Sequence, residues 1–371
     1  MNKYKVCVYA ICKNEEQFVN RWVDSMNEAD IIVVSDTGST DDSIKKLKAR
    51  GVIVNSIKVD PWRFDEARNK SMELVPKDVD ICVCTDIDEI FEPGWRKKLE
   101  SAWSPGTTRL KYSYTWNFNP DGTPGVTFLY EKIHKRNGFK WIHPVHEILE
   151  YSGEEPDIYS ICQDIKLNHH ADPTKSRSSY LPLLEMSVKE DPTNDRNMHY
   201  LGREYMFYEK WDQCIETLEK HLSLPTATWK DERSASMRFI ARAYKEKKDF
   251  QNARNWLYKA IAETPYLREP YVEFAQLAYL ESDWLGIYYM AENCLKIKER
   301  PLSYINEAFC WDYTIYDLAS VGCYRLNLLD KAFEYSKIAF EMSPENDRLR
   351  ENYSLIESEY LSKLANNVVV K

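Results

Sequence analysis

Two aspartates separated by one residue are the strongest candidates for metal chemistry in this sequence. Asp86 and Asp88 come directly after the apolar run ICVCT and are followed by Glu89. Two carboxylates at the end of a strand can bind a divalent cation, which in turn neutralises a diphosphate. An acidic triplet by itself also fits a solvated loop. The apolar run predicts a buried strand, however, so we expect these carboxylates at the mouth of a cleft.

A second acidic strand end lies in the segment VVSDTGSTDDS, where an apolar strand runs into a turn of small residues. Asp36 is expected at the end of this strand. Ser39, Thr40 and Asp41 have the residue types of a helix N-cap. Capping explains the residues from Thr40 to Ser43 but does not require Asp36. Asp36 is therefore a second candidate for binding a ligand.

The elements that must position these aspartates alternate between strands and helices over the first 170 or so residues. The predicted strands are VCVYAIC, DIIVVSD, VIVNSI and DICVCTD. Amphipathic segments such as EEQFVNRWVDSMNE and FDEARNKSMELV separate them. Near-continuous apolar strands with intervening helices indicate an α/β domain, in which helices cover both faces of a mainly parallel sheet. Ligands bind beyond the carboxyl ends of such strands, which is where the acidic motifs lie.

From about Ser176 the strand signals stop and a helical repeat begins. Each repeat has a tyrosine, an aromatic or leucine five or six residues later, and a small or apolar residue three further on. The equivalent sets are Tyr205, Trp211 and Cys214; Tyr244, Phe250 and Ala253; Tyr279, Trp284 and Ile287; Tyr324, Leu329 and Ala332. This pattern predicts tetratricopeptide-like helix pairs with the aromatic residues in the core. We expect two domains, 1–175 and 176–371.

Composition narrows the function further. Hydrophobic residues make up 43% and charged residues 29%, as is usual for folded proteins. The net charge of −9 disfavours binding to a nucleic-acid backbone, although a local basic patch stays possible. No apolar run is long enough to span a bilayer, and the N-terminus lacks the pattern of a signal peptide. With nine cysteines and no CxxC pair, the sequence predicts a cytoplasmic protein without a transmembrane segment.

Four motifs in order make residues 1–171 resemble the family-two glycosyltransferases of the GT-A fold, whose catalytic domain is Rossmann-like. The motifs are AICKNEEQFV, IIVVSDTGSTDDS, DEARNKSMELV and CTDIDEIF. In the second, TGSTDD replaces the commoner DGSTD, so a threonine stands at the second acidic position. The resemblance implies an α/β GT-A catalytic domain followed by an all-α tetratricopeptide-like repeat domain.

The resemblance also implies a set of nucleotide-sugar contacts. The backbone from Ala10 to Cys12 would form the base pocket, Asp36 would contact the nucleoside, and Arg136 could bind the diphosphate. The full set is Ala10, Cys12, Asp36, Arg68, Asn69, Asp86 and Arg136. Asp86 and Asp88 would bind Mn²⁺ or Mg²⁺. Either His169 or His170 would complete the metal site, because adjacent side chains in an extended segment point to opposite faces. The alternative is two ordinary histidines at a domain junction.

The segment from Tyr130 to Glu150 is unusually rich in lysine, arginine and histidine for an acidic protein. Its basic residues alone fit a solvated charged hairpin. Relatives with appended repeats commonly have a similar segment ending in His-Glu, which implies a catalytic role for His146 and Glu147. An inverting transfer needs a carboxylate to remove the acceptor proton, and Glu147 is the candidate.

These observations predict a metal-dependent, inverting glycosyltransferase that uses a nucleotide sugar, with a UDP-sugar expected. The acceptor stays open among a surface glycan, a peptide or protein, and a modified DNA base. The repeats could mediate protein contact or self-association. The alternative function is a non-catalytic tetratricopeptide scaffold or adaptor with a degenerate nucleotide-binding domain.

Overall fold

The computed structural model describes residues 3–119, 121–172, 175 and 178–369, with side chains to residue 365. The chain forms two compact units. The first comprises 1–190 with Leu302–Tyr304, and the second comprises 191–301 and 305–371. The boundary predicted after residue 175 adjoins residues 176 and 177, which lie outside the described residues, and it precedes a helix that belongs to the first unit.

Ten strands lie in the described part of the first unit. They are β1 (Val6–Cys12), β2 (Ile31–Asp36), β3 (Ile53–Ser56), β4 (Ile81–Cys84), β5 (Glu89–Phe91), β6 (Arg109–Thr115), β7 (Thr127–Lys135), β8 (Phe139–Ile142), β9 (Ile148–Tyr151) and β10 (Tyr159–His169). Eight form one sheet in the order β3-β2-β1-β4-β7-β6-β10-β5, and β8 pairs with β9 in a separate hairpin.

The direction of the strands brings several loops to one edge of the sheet. β1 to β4 run parallel, β7 runs antiparallel to both β4 and β6, and β10 is parallel to β6. The carboxyl ends of β1, β2, β4, β6 and β10 therefore lie at the same edge. The mainly parallel α/β sheet predicted from the sequence is confirmed.

Helices cover both faces of this sheet. They are α1 (Val19–Met26), α2 (Ser43–Ala49), α3 (Phe64–Glu73) and α4 (Trp95–Ala102). The unit also contains α5 (Tyr180–Glu190), whose Tyr180 ring lies against Phe64 of α3. Side chains of β1 alternate between two cores, because neighbours in a strand point to opposite faces. Val6 and Val8 pack in the core with Trp22 of α1, whereas Cys7 and Tyr9 pack in the core with Met72 of α3 and the β8–β9 hairpin.

The second unit is helical throughout its described elements, as predicted. The helices are α6 (Asp195–Phe207), α7 (Trp211–Ser223), α8 (Lys230–Glu246), α9 (Phe250–Glu263), α10 (Glu269–Leu280), α11 (Trp284–Cys294), α12 (Thr314–Arg325), α13 (Leu329–Met342) and α14 (Asp347–Val369), with a 3₁₀ turn at Ala308–Cys310. Among the described residues of both units, no helix is long and apolar enough to cross a membrane.

The residues of the repeat pattern lie at the start and on the buried face of the second helix of each pair. In each set, the aromatic residue or leucine that follows the tyrosine is the first residue of a helix: Trp211, Phe250, Trp284 and Leu329. The small or apolar residue of each set is fully buried: Cys214, Ala253, Ile287 and Ala332. A left-handed residue stands two positions before each start, at Glu209, Lys248, Ser282 and Asn327, and turns the chain between the helices.

The prediction that all four tyrosines lie in the core was wrong for Tyr279, which is 47% exposed. The turn into each second helix is closed by a backbone hydrogen bond to the residue six positions before its start. That acceptor is a tyrosine in the first two repeats but Ala278 and Cys323 in the last two. Ala278 and Cys323 are fully buried. Tyr279 lies one residue later, and the helical rotation of about 100° per residue moves it towards solvent.

Candidate active site

The loop after β4 presents the paired aspartates at the carboxyl edge of the sheet. β4 is buried along its whole length, and the Trp22 indole N–H donates to Thr85 Oγ1 at 3.1 Å just beyond it. The chain then turns, and the Asp86 N–H donates to Glu89 Oε2 at 2.8 Å. This bond fixes the turn that separates Asp86 from Asp88.

Asp88 faces His169 because β5 pairs with β10. Glu89, the first residue of β5, lies opposite His169, the last residue of β10. His169 Nε2 is 3.4 Å from Asp88 Oδ2, and its Nδ1 is 2.9 Å from the Trp116 carbonyl. A carbonyl only accepts hydrogen bonds, so Nδ1 carries a proton. The neutral ring then has its lone pair on Nε2, towards Asp88.

This pair fits a divalent cation. Ligand bonds of about 2.1 Å place neighbouring ligand atoms roughly 3.0 to 3.4 Å apart, which matches the Asp88–His169 separation. Carboxylate oxygen and imidazole nitrogen together suit Mn²⁺ or a related ion. Without a cation, burial lowers the pKa of His169. The hydrogen bond to Asp88 and the negative charge of Asp88 raise it by more, so the pKa lies above its ordinary value.

His170 has different surroundings. Its backbone N–H donates to the Asp88 carbonyl at 2.9 Å, and its ring stacks on Phe118 at 5.3 Å between centroids. The structure thus brings His169, and not His170, to the Asp88 carboxylate. The sequence did not distinguish the two histidines, because it does not show on which face of β10 the Asp88 side chain lies.

Arg68 of α3 links the two carboxylates that the sequence placed in different roles. Its Nη2 donates to Asp86 Oδ1 at 2.8 Å, and its Nε donates to Glu147 Oε1. The guanidinium is almost completely buried. Burial would raise the pKa of Asp86, but the charges of Arg68 and Lys132 hold it well below its usual range. Asp86 is therefore ionised.

Lys132 is a second buried cation at this site, and its burial contradicts the solvated-hairpin alternative. It is 3% exposed, and its Nζ lies 2.8 and 2.9 Å from the Glu89 oxygens and 3.4 Å from Asp86 Oδ2. The Tyr114 hydroxyl also donates to Glu89 at 2.9 Å. No site role was predicted for Lys132 or Glu89. The alternation of β7, which puts Lys132 on one face with Tyr130, is the signal that could have found it.

Glu15 is another buried acidic residue, and no site role was predicted for it. It follows β1 in the KNEE segment, and its side chain is 11% exposed. Burial raises the pKa of Glu15 to about 7 despite an ion pair with Lys175, and the negative charges of Asp88 and Asp86 add to the rise. A carboxyl group with such a pKa exchanges protons near neutrality.

Three predicted nucleotide contacts make hydrogen bonds within the sheet edge. Asp36 accepts from the backbone N–H groups of Gly38 at 3.0 Å and Ser39 at 3.1 Å, so it closes its own turn. The Ala10 carbonyl accepts from the Ser71 hydroxyl, and the Cys12 carbonyl accepts from the Thr37 N–H. All three predicted residues are buried.

Asn69 and Arg136 also have structural partners. The Asn69 amide makes two 2.8 Å hydrogen bonds to the backbone of Trp141 and so joins α3 to β8. Arg136 donates to the Val75 carbonyl, just beyond α3. Its predicted contact with the diphosphate stays a prediction, which the position of Arg136 in the sheet disfavours. Lys135 pairs with Ile81, so Arg136 lies at the amino end of β4, whereas Asp86 follows the carboxyl end of that strand.

His146 lies next to Glu147 in a loop between β8 and β9. Its backbone is left-handed, with φ of 52°, and its ring packs edge-on against Tyr180 at 5.6 Å. His146 is therefore a neighbour of the Arg68-linked Glu147 along the chain, with its ring against α5.

A cleft of about 350 Å³ opens beside the Asp88–His169 pair. Its walls include Arg21, Trp116, Phe118, His169 and His170. Trp116 stacks on His169 at 4.7 Å between centroids, yet half of its side chain is exposed. The cleft thus offers an aromatic surface next to the candidate metal ligands.

Comparison with known proteins gives partial likenesses only. No family model and no curated protein matches the chain. The MamA protein is 19% identical over 46% of this chain and 85% of its own, with a TM-score of 0.36. The APC/C hetero-tetramer Cut9-Hcn1 is 16% identical over 50% of this chain and 33% of its own, with a TM-score of 0.39.

Glucosyl-3-phosphoglycerate synthase from Mycobacterium tuberculosis, in complex with Mn²⁺, UDP and phosphoglyceric acid, is also similar. The identity is 26% over 31% of this chain, which spans 45% of that enzyme, and the TM-score is 0.27. The similar solved structures thus include repeat proteins and a glycosyltransferase. At these TM-scores the likeness supports no argument about the activity of this chain.

Proposed function

We propose that the first unit is a metal-dependent glycosyltransferase, which moves a sugar from a nucleotide sugar, expected to be a UDP-sugar, to an acceptor with inversion. The single observation that supports this most is the joint placement of Asp88 with His169 and of Asp86 with Arg68 and Glu147. Both sets lie at the carboxyl edge of a mainly parallel sheet, where such folds bind ligands.

Asp88 and His169 would hold Mn²⁺ or Mg²⁺. Bound there, the cation would neutralise the diphosphate of the departing nucleotide. Asp86 stays ionised between Arg68 and Lys132, and so it is a fixed hydrogen-bond acceptor for a donor hydroxyl such as that of a ribose. Because both cations are buried and paired, this acceptor is held in place before the donor binds.

Glu147 is the proposed general base. The acceptor atom forms a bond to the anomeric carbon while the bond from that carbon to the diphosphate oxygen breaks, and the acceptor proton passes to Glu147. Arg68 binds one oxygen of Glu147 and so orients the carboxylate. Candidate acceptors are a glycan, a peptide or protein, and a modified DNA base.

The two adjacent histidines offer a matched test of the metal site in the full chain. UDP with Mn²⁺ should raise the melting temperature, because a ligand that binds only the folded state stabilises it. His169→Ala and Asp88→Ala should lose the metal-dependent part of this rise, whereas His170→Ala should keep it. The same result from both histidine variants would contradict the assignment of His169.

Slow release of UDP from a UDP-sugar separates an enzyme from a scaffold. The proposed enzyme should hydrolyse the donor in the presence of Mn²⁺, and Asp88→Ala should not. A wild-type chain whose melting temperature is unchanged at millimolar UDP and metal, and which releases no UDP, would favour the non-catalytic alternative.

A further inference from the structure

Two histidines and a glutamate from three consecutive helices meet inside the second unit. His199 lies on α6, His221 on α7 and Glu232 on α8, and their exposed fractions are 1%, 0% and 4%. One nitrogen of each ring and one carboxylate oxygen all lie within 4.8 Å of one another. Residues 191–371 contain two histidines, His199 and His221, and both belong to this cluster.

One nitrogen atom of this cluster lacks a hydrogen bond within the described part of the chain. His221 Nε2 is buried and has no hydrogen-bond partner among the described residues, and its distance to Glu232 Oε1 is 3.5 Å. A buried polar atom without a partner is unfavourable unless something else binds it. The Nε2–Oε1 separation is long for a hydrogen bond but suits two ligands of one metal ion, for which tetrahedral bonds of about 2.1 Å give roughly 3.4 Å.

A serine hydroxyl orients both rings from the other side. Ser236 Oγ on α8 is 2.8 Å from His199 Nδ1 and 3.0 Å from His221 Nδ1. A hydroxyl oxygen can accept from both Nδ1–H groups, and this tautomer leaves the Nε2 lone pairs available. Metal-binding histidines are commonly held through their second nitrogen in this way.

The donor set also suits a metal. Two imidazoles and one carboxylate form a donor set that is typical of Zn²⁺.

We propose that His199, His221 and Glu232 bind a Zn²⁺ ion that fastens α6, α7 and α8 together. This site lies in the other unit from the proposed catalytic one and does not depend on the proposed function. Its role is structural, because a metal bound to three helices adds its binding free energy to their packing.

The test measures zinc in the full chain, produced without a histidine tag and stripped with a chelator. The parent is the double variant Asp88→Asn with His169→Gln, which removes both proposed ligands of the first site. After equilibration with micromolar free Zn²⁺, the parent should retain about one zinc ion per chain. Its melting temperature should rise with zinc and fall again with chelator.

Variants assign the ion to the cluster. His221→Gln and Glu232→Gln in this parent should each weaken zinc binding at least about tenfold, by loss of a ligand. His134→Gln is the matched control, because His134 is a fully buried histidine of the first unit, and it should retain the zinc. If a cluster variant fails to fold, the zinc content of the parent still decides the question. A parent without bound zinc, or equal zinc affinity in His221→Gln, would overturn the proposal.

Discussion

The two units assemble the buried polar clusters of their candidate sites in opposite ways. At the carboxyl edge of the first unit, Arg68, Lys132, Asp86 and Glu147 come from four separate places in the chain. In the second unit, His199, His221 and Glu232 come from three consecutive helices. The first arrangement depends on long-range strand pairing, whereas the second depends on neighbouring elements. The candidate active site therefore requires the complete sheet, whereas each repeat is stabilised chiefly by its neighbours.

The largest expected effect separates the units altogether. The fragments 176–371 and 191–371 should each give a helical protein with a cooperative unfolding transition, since repeat arrays are stabilised chiefly by nearest-neighbour packing. Circular dichroism during thermal unfolding measures this. Equal stability of the two fragments would put the boundary after α5, at residue 190. Insoluble fragments would show that the repeats require the first unit. They would contradict the view that neighbouring helices are enough to stabilise the repeats.

Replacing the proposed base should have the next largest effect. Glu147→Gln keeps the shape and the contact with Arg68 but loses the base, so transfer should fall by about 10² to 10⁴. Turnover and UDP affinity should be measured side by side. Donor affinity should be nearly unchanged if Glu147 is the base.

The alternative role for Glu147 gives a different pattern. If Glu147 only positions Arg68, the loss in Glu147→Gln should extend to donor affinity, as expected for Asp86→Asn, whose carboxylate contacts the donor in the ground state. Transfer near the wild-type rate would remove Glu147 from the mechanism.

A pair of lysine variants compares the two ways of pairing charge. Lys132→Met should lower the free energy of unfolding by about 3 to 5 kcal/mol, because it leaves Glu89 without its buried cation and Asp86 with Arg68 alone. Lys331→Met is the matched change in the second unit, where Lys331 pairs with Glu292 at 2.6 Å but is 39% exposed. Solvent screens that pair, so the loss should be at most about 1 kcal/mol. Denaturant unfolding measures the free energy of unfolding of both variants. Similar losses would contradict the prediction that the buried pair contributes more than the exposed one.

The smallest effect is the part of the pH dependence of stability that one buried histidine of the first unit causes. His134 is buried against Tyr9, and burial lowers the pKa of its ring to about 3. The unfolded chain therefore binds a proton below about pH 6.5 that the folded chain does not, so stability is complete above that pH and falls as the pH drops.

Between about pH 6.5 and pH 5 the loss from His134 should be roughly 2 kcal/mol. His134→Gln should remove that part of the pH dependence, whatever its effect at neutral pH. Denaturant unfolding at both pH values checks this. An unchanged slope in the variant would show that His134 does not cause the acid sensitivity.

Local patterns of the sequence determined most of the elements. The apolar runs at residues 6–12 and 81–84 became buried strands, and the segments with the repeat pattern became pairs of helices. These predictions succeeded because side-chain periodicity and turn residues act over a few neighbours. The prediction failed at Tyr279, which lies one residue after the buried Ala278. A shift of one residue is enough to turn a helical side chain from the core to solvent.

Only the tertiary structure decided which residues share a site. The sequence indicated Lys132 and Arg136 in one basic segment, but β7 runs antiparallel to β4, so Lys132 meets Asp86 while Arg136 lies at the opposite edge. The pairing of β5 with β10 likewise selected His169 over His170 for Asp88. Spacing along a strand shows which residues share a face, but the direction and partner of that strand follow from packing between segments far apart in the chain.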